Sequence, residues 1–120
     1  MDEKYSVAVA STGGTYVDEH FGRASRFLVF DITEDEDLVL KEERNFTPAC
    51  SCMRGFHDDD ALYDNASAFS DCRCLIASRI GPGALRILSE YGIEGYELPG
   101  KIEEAVHRMV QYRKVQALFS

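Results

Sequence analysis

The chain has 120 residues, 45% of them hydrophobic, and sets 13 basic against 21 acidic side chains for a net charge of −8. That length implies one domain, residues 1–120, with a real core, and the acidic balance excludes a nucleic-acid partner, because phosphate backbones attract surfaces rich in Lys and Arg. No apolar run approaches the roughly 20 residues of a bilayer span, and the polar start Met1-Asp2-Glu3-Lys4 lacks the apolar segment of a signal peptide, so a cytoplasmic protein without a membrane partner is expected.

Residues 5–11 carry small or apolar side chains on both alternating faces, as a strand covered on both sides does. Thr12-Gly13-Gly14-Thr15 then breaks the strand. Its glycines permit positive φ or a close approach of backbone to a ligand, and an ordinary turn accounts for them equally well. Residues 26–32 form the second strand and residues 38–43 a third, nearer an edge. Residues 45–56 have no period, contain Pro48 and Gly55, and are expected to be a loop. Asp58, Asp59 and Asp60 suit a helix N-terminus, and Leu62, Ala66 and Phe69 follow at i, i+4 and i+7, predicting a short helix to about Ser70.

Cys74-Leu75-Ile76-Ala77 reads as a buried strand. Gly81-Pro82-Gly83 opens a helix, with Pro82 near the first position where its missing N–H costs little, and Gly92 closes it. Residues 93–98 form the last strand. After Pro99-Gly100, Ile102, Ala105, Val106, Met109 and Val110 follow the helical template, and residues 113–120 are a tail of uncertain order. The order β-β-β-α-β-α-β-α requires a parallel crossover in its C-terminal half, while the first three strands pair as an antiparallel meander. An α/β fold follows: a mixed five-stranded sheet with helices on its faces.

The richest connection is Asp18-Glu19-His20-Phe21-Gly22-Arg23, between the first two strands. Connections held by a rigid scaffold commonly carry function. The His20 imidazole suits iron, zinc and other borderline metals. Phe21 either anchors the loop in the core or touches a ligand. Arg23 either meets an anionic ligand or pairs with a neighbour such as Asp18. The four cysteines form two Cys-x-Cys pairs, which in a reducing compartment are thiols or metal ligands rather than disulfides. Cys50 and Cys52 share the unpatterned loop with Met53 and His57, a dense set of soft ligands. Cys72 and Cys74, two apart, are expected to share a face, with Cys74 buried and Cys72 nearer the surface. Their spacing is tighter than usual zinc pairs. Ser78 through Gly83 ends a strand and opens a helix, a favoured ligand position in α/β sheets, although a plain turn fits as well. No catalytic set emerges: Ser11 and Ser78 lack a nucleophile-elbow frame, and the aspartates do not pair as general acid and base.

Val7-Ala-Val-Ala-Ser11, His20-Phe21-Gly22-Arg23-Ala24 and Phe27-Leu-Val-Phe-Asp31 resemble the dinitrogenase iron-molybdenum cofactor biosynthesis family, NifX type. Asp71-Cys-Arg-Cys-Leu-Ile-Ala-Ser-Arg-Ile-Gly-Pro82, Gly92-Ile93 and Pro99-Gly-Lys-Ile-Glu-Glu-Ala105 are similar to the C-terminal domain of the NifB cofactor synthase. The resemblance covers most of residues 5–110. It implies a ribonuclease-H-like fold and non-catalytic carriage of an iron-sulfur cluster or iron-molybdenum cofactor precursor alongside other metallocluster biosynthesis proteins. The family's histidine before Phe-Gly maps onto His20 as metal ligand, and cysteine-containing loops map onto Cys50 and Cys52. Gly13, Phe21, Gly22, Arg23, Ser78 and Gly81 would line the cofactor. The chain lacks the Cys-x3-Cys-x2-Cys motif of the radical enzyme to which the similar domain is fused, so synthesis of the cofactor is not expected. The alternative is a zinc-binding or metal-free module that docks on a cluster-assembly enzyme. A nuclease on this fold would need carboxylates on its central strand, and residues 5–11 have none. The sequence leaves the oligomeric state open.

Overall fold

A computed structural model of the chain describes residues 5–33, 35–45 and 59–119. Its elements, in chain order, are β1 (Tyr5–Ala10), β2 (Tyr16–Val17), β3 (Arg26–Ile32), β4 (Leu38–Asn45), α1 (Asp59–Ser67), β5 (Cys74–Ala77), α2 (Pro82–Glu90), β6 (Glu94–Glu97), β7 (Gly100–Lys101) and α3 (Ile102–Leu118). The main sheet has five strands in the order β4-β3-β1-β5-β6. β3 runs antiparallel to β1 with Tyr5 opposite Ile32 and Ala10 opposite Phe27, and β4 continues the meander with one register shift at Val29/Phe30. β5 runs parallel to β1, Val7 opposite Cys74, and β6 parallel to β5, Cys74 opposite Glu94. The mixed sheet expected from the order of elements is therefore present.

The alternation of side chains across the pleat sorts the core into two layers. Ala8, Ala10, Leu75 and Ala77 face one layer with Ala66, Phe69, Ile87 and Leu88, under α1 and α2. Val7, Val9, Cys74 and Ile76 face the other with Val106, Met109 and Val110 of α3. Central strands buried on both faces explain why residues 6–10 lack a polar side. α2 ends where Gly92, at φ 74°, turns the chain and the Ile93 N–H reaches back to the Leu88 carbonyl at 2.9 Å.

Two features differ from the sequence reading. A short antiparallel ribbon joins β2 to β7, Tyr16 opposite Lys101 and Val17 opposite Gly100; strands of two residues leave no periodic signal. Residues 113–118, expected to be an uncertain tail, complete α3. The helix is carried past Val110 by contacts that hydrophobic periodicity does not register: the Tyr112 ring packs edge-on against Tyr96 at 5.7 Å, Arg113 bonds Glu94, and Lys114 pairs with Glu36.

Candidate functional site

β1, β5 and β6 are parallel, so their C-terminal ends share one edge of the sheet, and antiparallel β3 begins there too. At that edge the buried Ser11 accepts the Gly14 N–H on its Oγ at 2.9 Å. Thr12 donates both its N–H (3.0 Å) and its hydroxyl (2.7 Å) to the Asp18 carboxylate, and Arg26 donates to the Thr12 carbonyl and, at 3.0 Å, to Glu43. The turn at residues 12–15 is thus fixed by its own chain. Gly14 uses positive φ (86°). Gly13 does not, and a Cβ added there meets nothing within 4 Å.

The next turn is clamped at both ends. Arg23 and Ala24 donate their N–H groups to the His20 carbonyl at 3.0 and 2.9 Å. Phe21 is 1% exposed and sets its ring edge-on to Phe27, 6.1 Å between centroids, so its side chain is a core anchor. Its N–H donates to the Arg79 carbonyl, and the Ser78 N–H donates to the Glu19 carbonyl, both at 2.9 Å. His20 and Arg79 therefore form a one-residue parallel bridge. The imidazole stands exposed on this junction, with Gly22 half-buried and Arg23 exposed beside it.

The structure brings His20, Phe21, Gly22 and Arg23 together with Ser78 and leads directly to Gly81, the N-cap of α2. The Gly13 turn hangs on Asp18, two residues before His20. Asp18 is bonded to Thr12 rather than to Arg23. Glu97, at the end of β6, accepts the Ile80 N–H at 2.6 Å and so closes the same edge. Glu97 was not singled out in the sequence, Asp18 entered only as a neighbour for Arg23, and Arg79 only as part of the segment from Ser78 to Gly83. Only the bridge itself exposes the pairing of Arg79 with His20.

Cys50 and Cys52, with Met53 and His57, lie outside the described residues. Cys72 and Cys74 correct the sequence reading. Both are buried, Cys72 at 3% and Cys74 at 0% exposure, and the two do not share a layer: Cys72 packs under α1 and α2, Cys74 under α3. Cys72 precedes the first residue of β5, so strand alternation does not extend to it. Burial pushes both thiols up to about 12, which makes them poor thiolate donors. Among the described residues no group of three or more His, Cys, Asp or Glu side chains could by itself hold a metal ion.

These features define a small mixed α/β domain whose chemistry-bearing loops gather at the C-terminal edge of its central parallel strands. The chain belongs to the dinitrogenase iron-molybdenum cofactor family, whose sequence profile matches residues 3–112. It is 33% identical over 102 residues to the FeMo cofactor biosynthesis protein NifB of Chlorobaculum tepidum, covering 84% of this chain and 23% of that protein. To NifB of Klebsiella pneumoniae it is 36% identical over 100 residues, covering 78% and 20%. The chain thus spans about a fifth of the length of these relatives. Among solved structures, a putative NifB protein from Thermotoga is similar at a TM-score of 0.62 and 25% identity, over 89% of this chain and 88% of that one. The apo orange protein of Desulfovibrio gigas shares the fold at a TM-score of 0.65 and 23% identity, over 92% and 91%. No helix of the described residues is long and apolar enough to cross a membrane.

Proposed function

We propose that this domain binds and carries a metal-sulfur cargo, an iron-sulfur cluster or iron-molybdenum cofactor precursor, as a non-catalytic accessory in metallocluster biosynthesis. The observation that carries the reading is the exposed His20 imidazole, held on a turn whose backbone is locked to the β5–α2 connection. Family membership supports the class of cargo, and the NifB relatives support a setting among cofactor-assembly proteins; a cytoplasmic location is part of the same proposal. The ribonuclease-H-like name fits the strand order: numbering the main sheet's strands along the chain, they lie 3-2-1-4-5 with the second antiparallel to the first.

A preformed cluster suits this donor set better than a resident zinc ion. Zinc takes four protein ligands in a structural site, whereas a cluster brings its own sulfide and needs few protein donors. His20 supplies one such donor, and Cys50 and Cys52 are proposed as further ligands. Arg23 and the backbone at Gly13, Gly22, Ser78 and Gly81 would line the cargo, with Phe21 anchoring the turn.

Anaerobic reconstitution with iron and sulfide tests this. The wild type is expected to hold iron and sulfide stoichiometrically with a visible charge-transfer spectrum, and His20→Ala to lose most of it while keeping its far-UV spectrum and melting temperature. Iron retained fully by His20→Ala removes the histidine from the site. A wild type that binds no cluster leaves the docking module, and one zinc per chain leaves the zinc reading.

A further inference from the structure

His20 and His107 are both exposed, yet the cationic side chains around them are differently disposed. His107 lines a cleft of about 450 Å³ with Glu36, Asp37 and Glu103, and Glu104 borders it on the adjoining surface. Arg108 is the basic neighbour there, and Lys114 is drawn to Glu36. An anion entering that cleft meets carboxylates. At His20 two neighbouring carboxylates are oriented by neutral donors, Asp18 by the Thr12 N–H and hydroxyl and Glu97 by the Ile80 N–H, and they keep their charge. Glu19 is half-buried and gives its carbonyl to Ser78. The cations, by contrast, are unspent. Among the described residues neither Arg23 nor Arg79 forms an ion pair, and both are exposed. Arg26, at the same edge, is already committed to Thr12 and Glu43.

The bridge sets one of these free arginines beside the histidine. Residues in register across a parallel pair lie about 4.8 Å apart at the backbone and send their side chains to the same side. The Arg79 side chain therefore leaves the backbone beside that of His20 and on the same side, with Arg23 three residues along the same turn. Guanidinium groups bind anions through paired N–H donors, and the contribution of each grows as water is displaced. In a chain of net charge −8, two guanidinium groups outside any ion pair are what this edge offers an anion.

The geometry points to Arg79 as the specificity-determining residue of this edge: with Arg23 it makes the His20 site accept an anionic ligand and discriminate against a bare metal cation. This rests on the carrier reading for the identity of the cargo but not for the sign of its charge, so the two are tested apart. Sulfate is titrated at low ionic strength into isotopically labelled wild type, Arg79→Gln and Arg79→Lys, with backbone amide shifts as the readout. Sulfate is expected to move residues 20–24 and 78–80. Its affinity should fall about five- to tenfold in Arg79→Gln, the effect of one exposed charge-assisted contact, and by a smaller factor in Arg79→Lys, which keeps the charge and loses the paired N–H donors. Zinc chloride bound at His20 should keep or gain affinity in Arg79→Gln. Sulfate shifts that persist unchanged in Arg79→Gln, or that fall only on residues 82–84 at the start of α2, overturn the assignment. Failure of the wild type to take up iron and sulfide while sulfate still binds through Arg79 overturns the cluster cargo and leaves the anion site standing.

Discussion

Arg113 holds its guanidinium carbon 4.4 Å from the centre of the Tyr5 ring while its Nε donates to Glu94 at 3.0 Å, so one side chain ties α3 to both β1 and β6. Burial pushes the Glu94 carboxyl up, but hydrogen bonds from Tyr96 and Arg113 outweigh it and hold the group below the usual range. Arg113→Ala should cost about 1–2 kcal/mol, the sum of a charge-assisted hydrogen bond and a cation–π contact on a partly exposed surface. Hydrogen exchange should show the loss concentrated in residues 110–118 while β1 keeps its protection. Uniform loss over the domain, or none in α3, would count against this lock.

A second lock predicts the response to acid. Arg44 grips Asp71 through two N–H groups, at 3.0 and 2.7 Å, and also reaches the Ala68 carbonyl and Glu42. That hydrogen bonding holds the Asp71 carboxyl below its ordinary range. A carboxyl whose pKa is lower folded than unfolded stabilises fully above the unfolded value, about 3.9, and the contribution fades as pH falls through the folded value. Glu94 acts with the same sign. Melting temperature should be flat above about pH 5 and fall below about pH 4. Asp71→Asn should melt lower at pH 7 and lose less on acidification. Parallel curves for the two proteins from pH 7 to 3 would remove Asp71 from the effect.

The main sheet was legible because its central strands are unusually plain: residues 6–10 and 74–77 are small or apolar on both sides, and little but a doubly covered strand accommodates that. The histidine turn was legible as a connection dense in chemistry. Its partner was not. One backbone bridge brings Arg79 to His20 across a large separation in sequence, and a single bridged residue leaves no pattern. The end of α3 was missed for a related reason. Its Tyr112, Arg113 and Lys114 are held by a ring, a carboxylate and an ion pair, so hydrophobic periodicity stops at Val110 while the helix continues. Cys72 and Cys74 misled because alternation was extended two residues before the strand begins.

Those two thiols give a direct chemical prediction. With pKa values pushed to about 12 by burial, and with 3% and 0% exposure, neither should react with iodoacetamide in the folded protein at pH 8. Peptide mass mapping should find both alkylated once urea is added. Cys72→Ala and Cys74→Ala should each lower stability modestly, about 1 kcal/mol for the lost sulfur contacts, and leave reconstituted iron content unchanged. Iron content that falls with either thiol would return the pair to the metal site.

Two glycines separate a requirement of the fold from a requirement of the site. A Cβ on Gly95, in β6, would stand 2.7 Å from Leu85 Cδ2 and 3.2 Å from both Ile80 Cδ1 and Leu88 Cδ1, where α2 presses on the sheet. Gly95→Ala should therefore cost about 1–3 kcal/mol through overpacking, softened to the extent that the Leu85 side chain swings aside. A Cβ on Gly13 meets nothing, and its φ is not in the left-handed region, so Gly13→Ala should leave stability within about 0.5 kcal/mol. If the Gly13 backbone lines the cargo, the added methyl narrows the approach and iron retention falls although the fold is intact. Chemical denaturation and iron content measured side by side on both variants give the answer. Gly95→Ala should lose stability, and Gly13→Ala should lose iron alone. A Gly13→Ala protein that retains full iron would place that turn outside the binding surface and leave the His20–Arg79 junction as its centre.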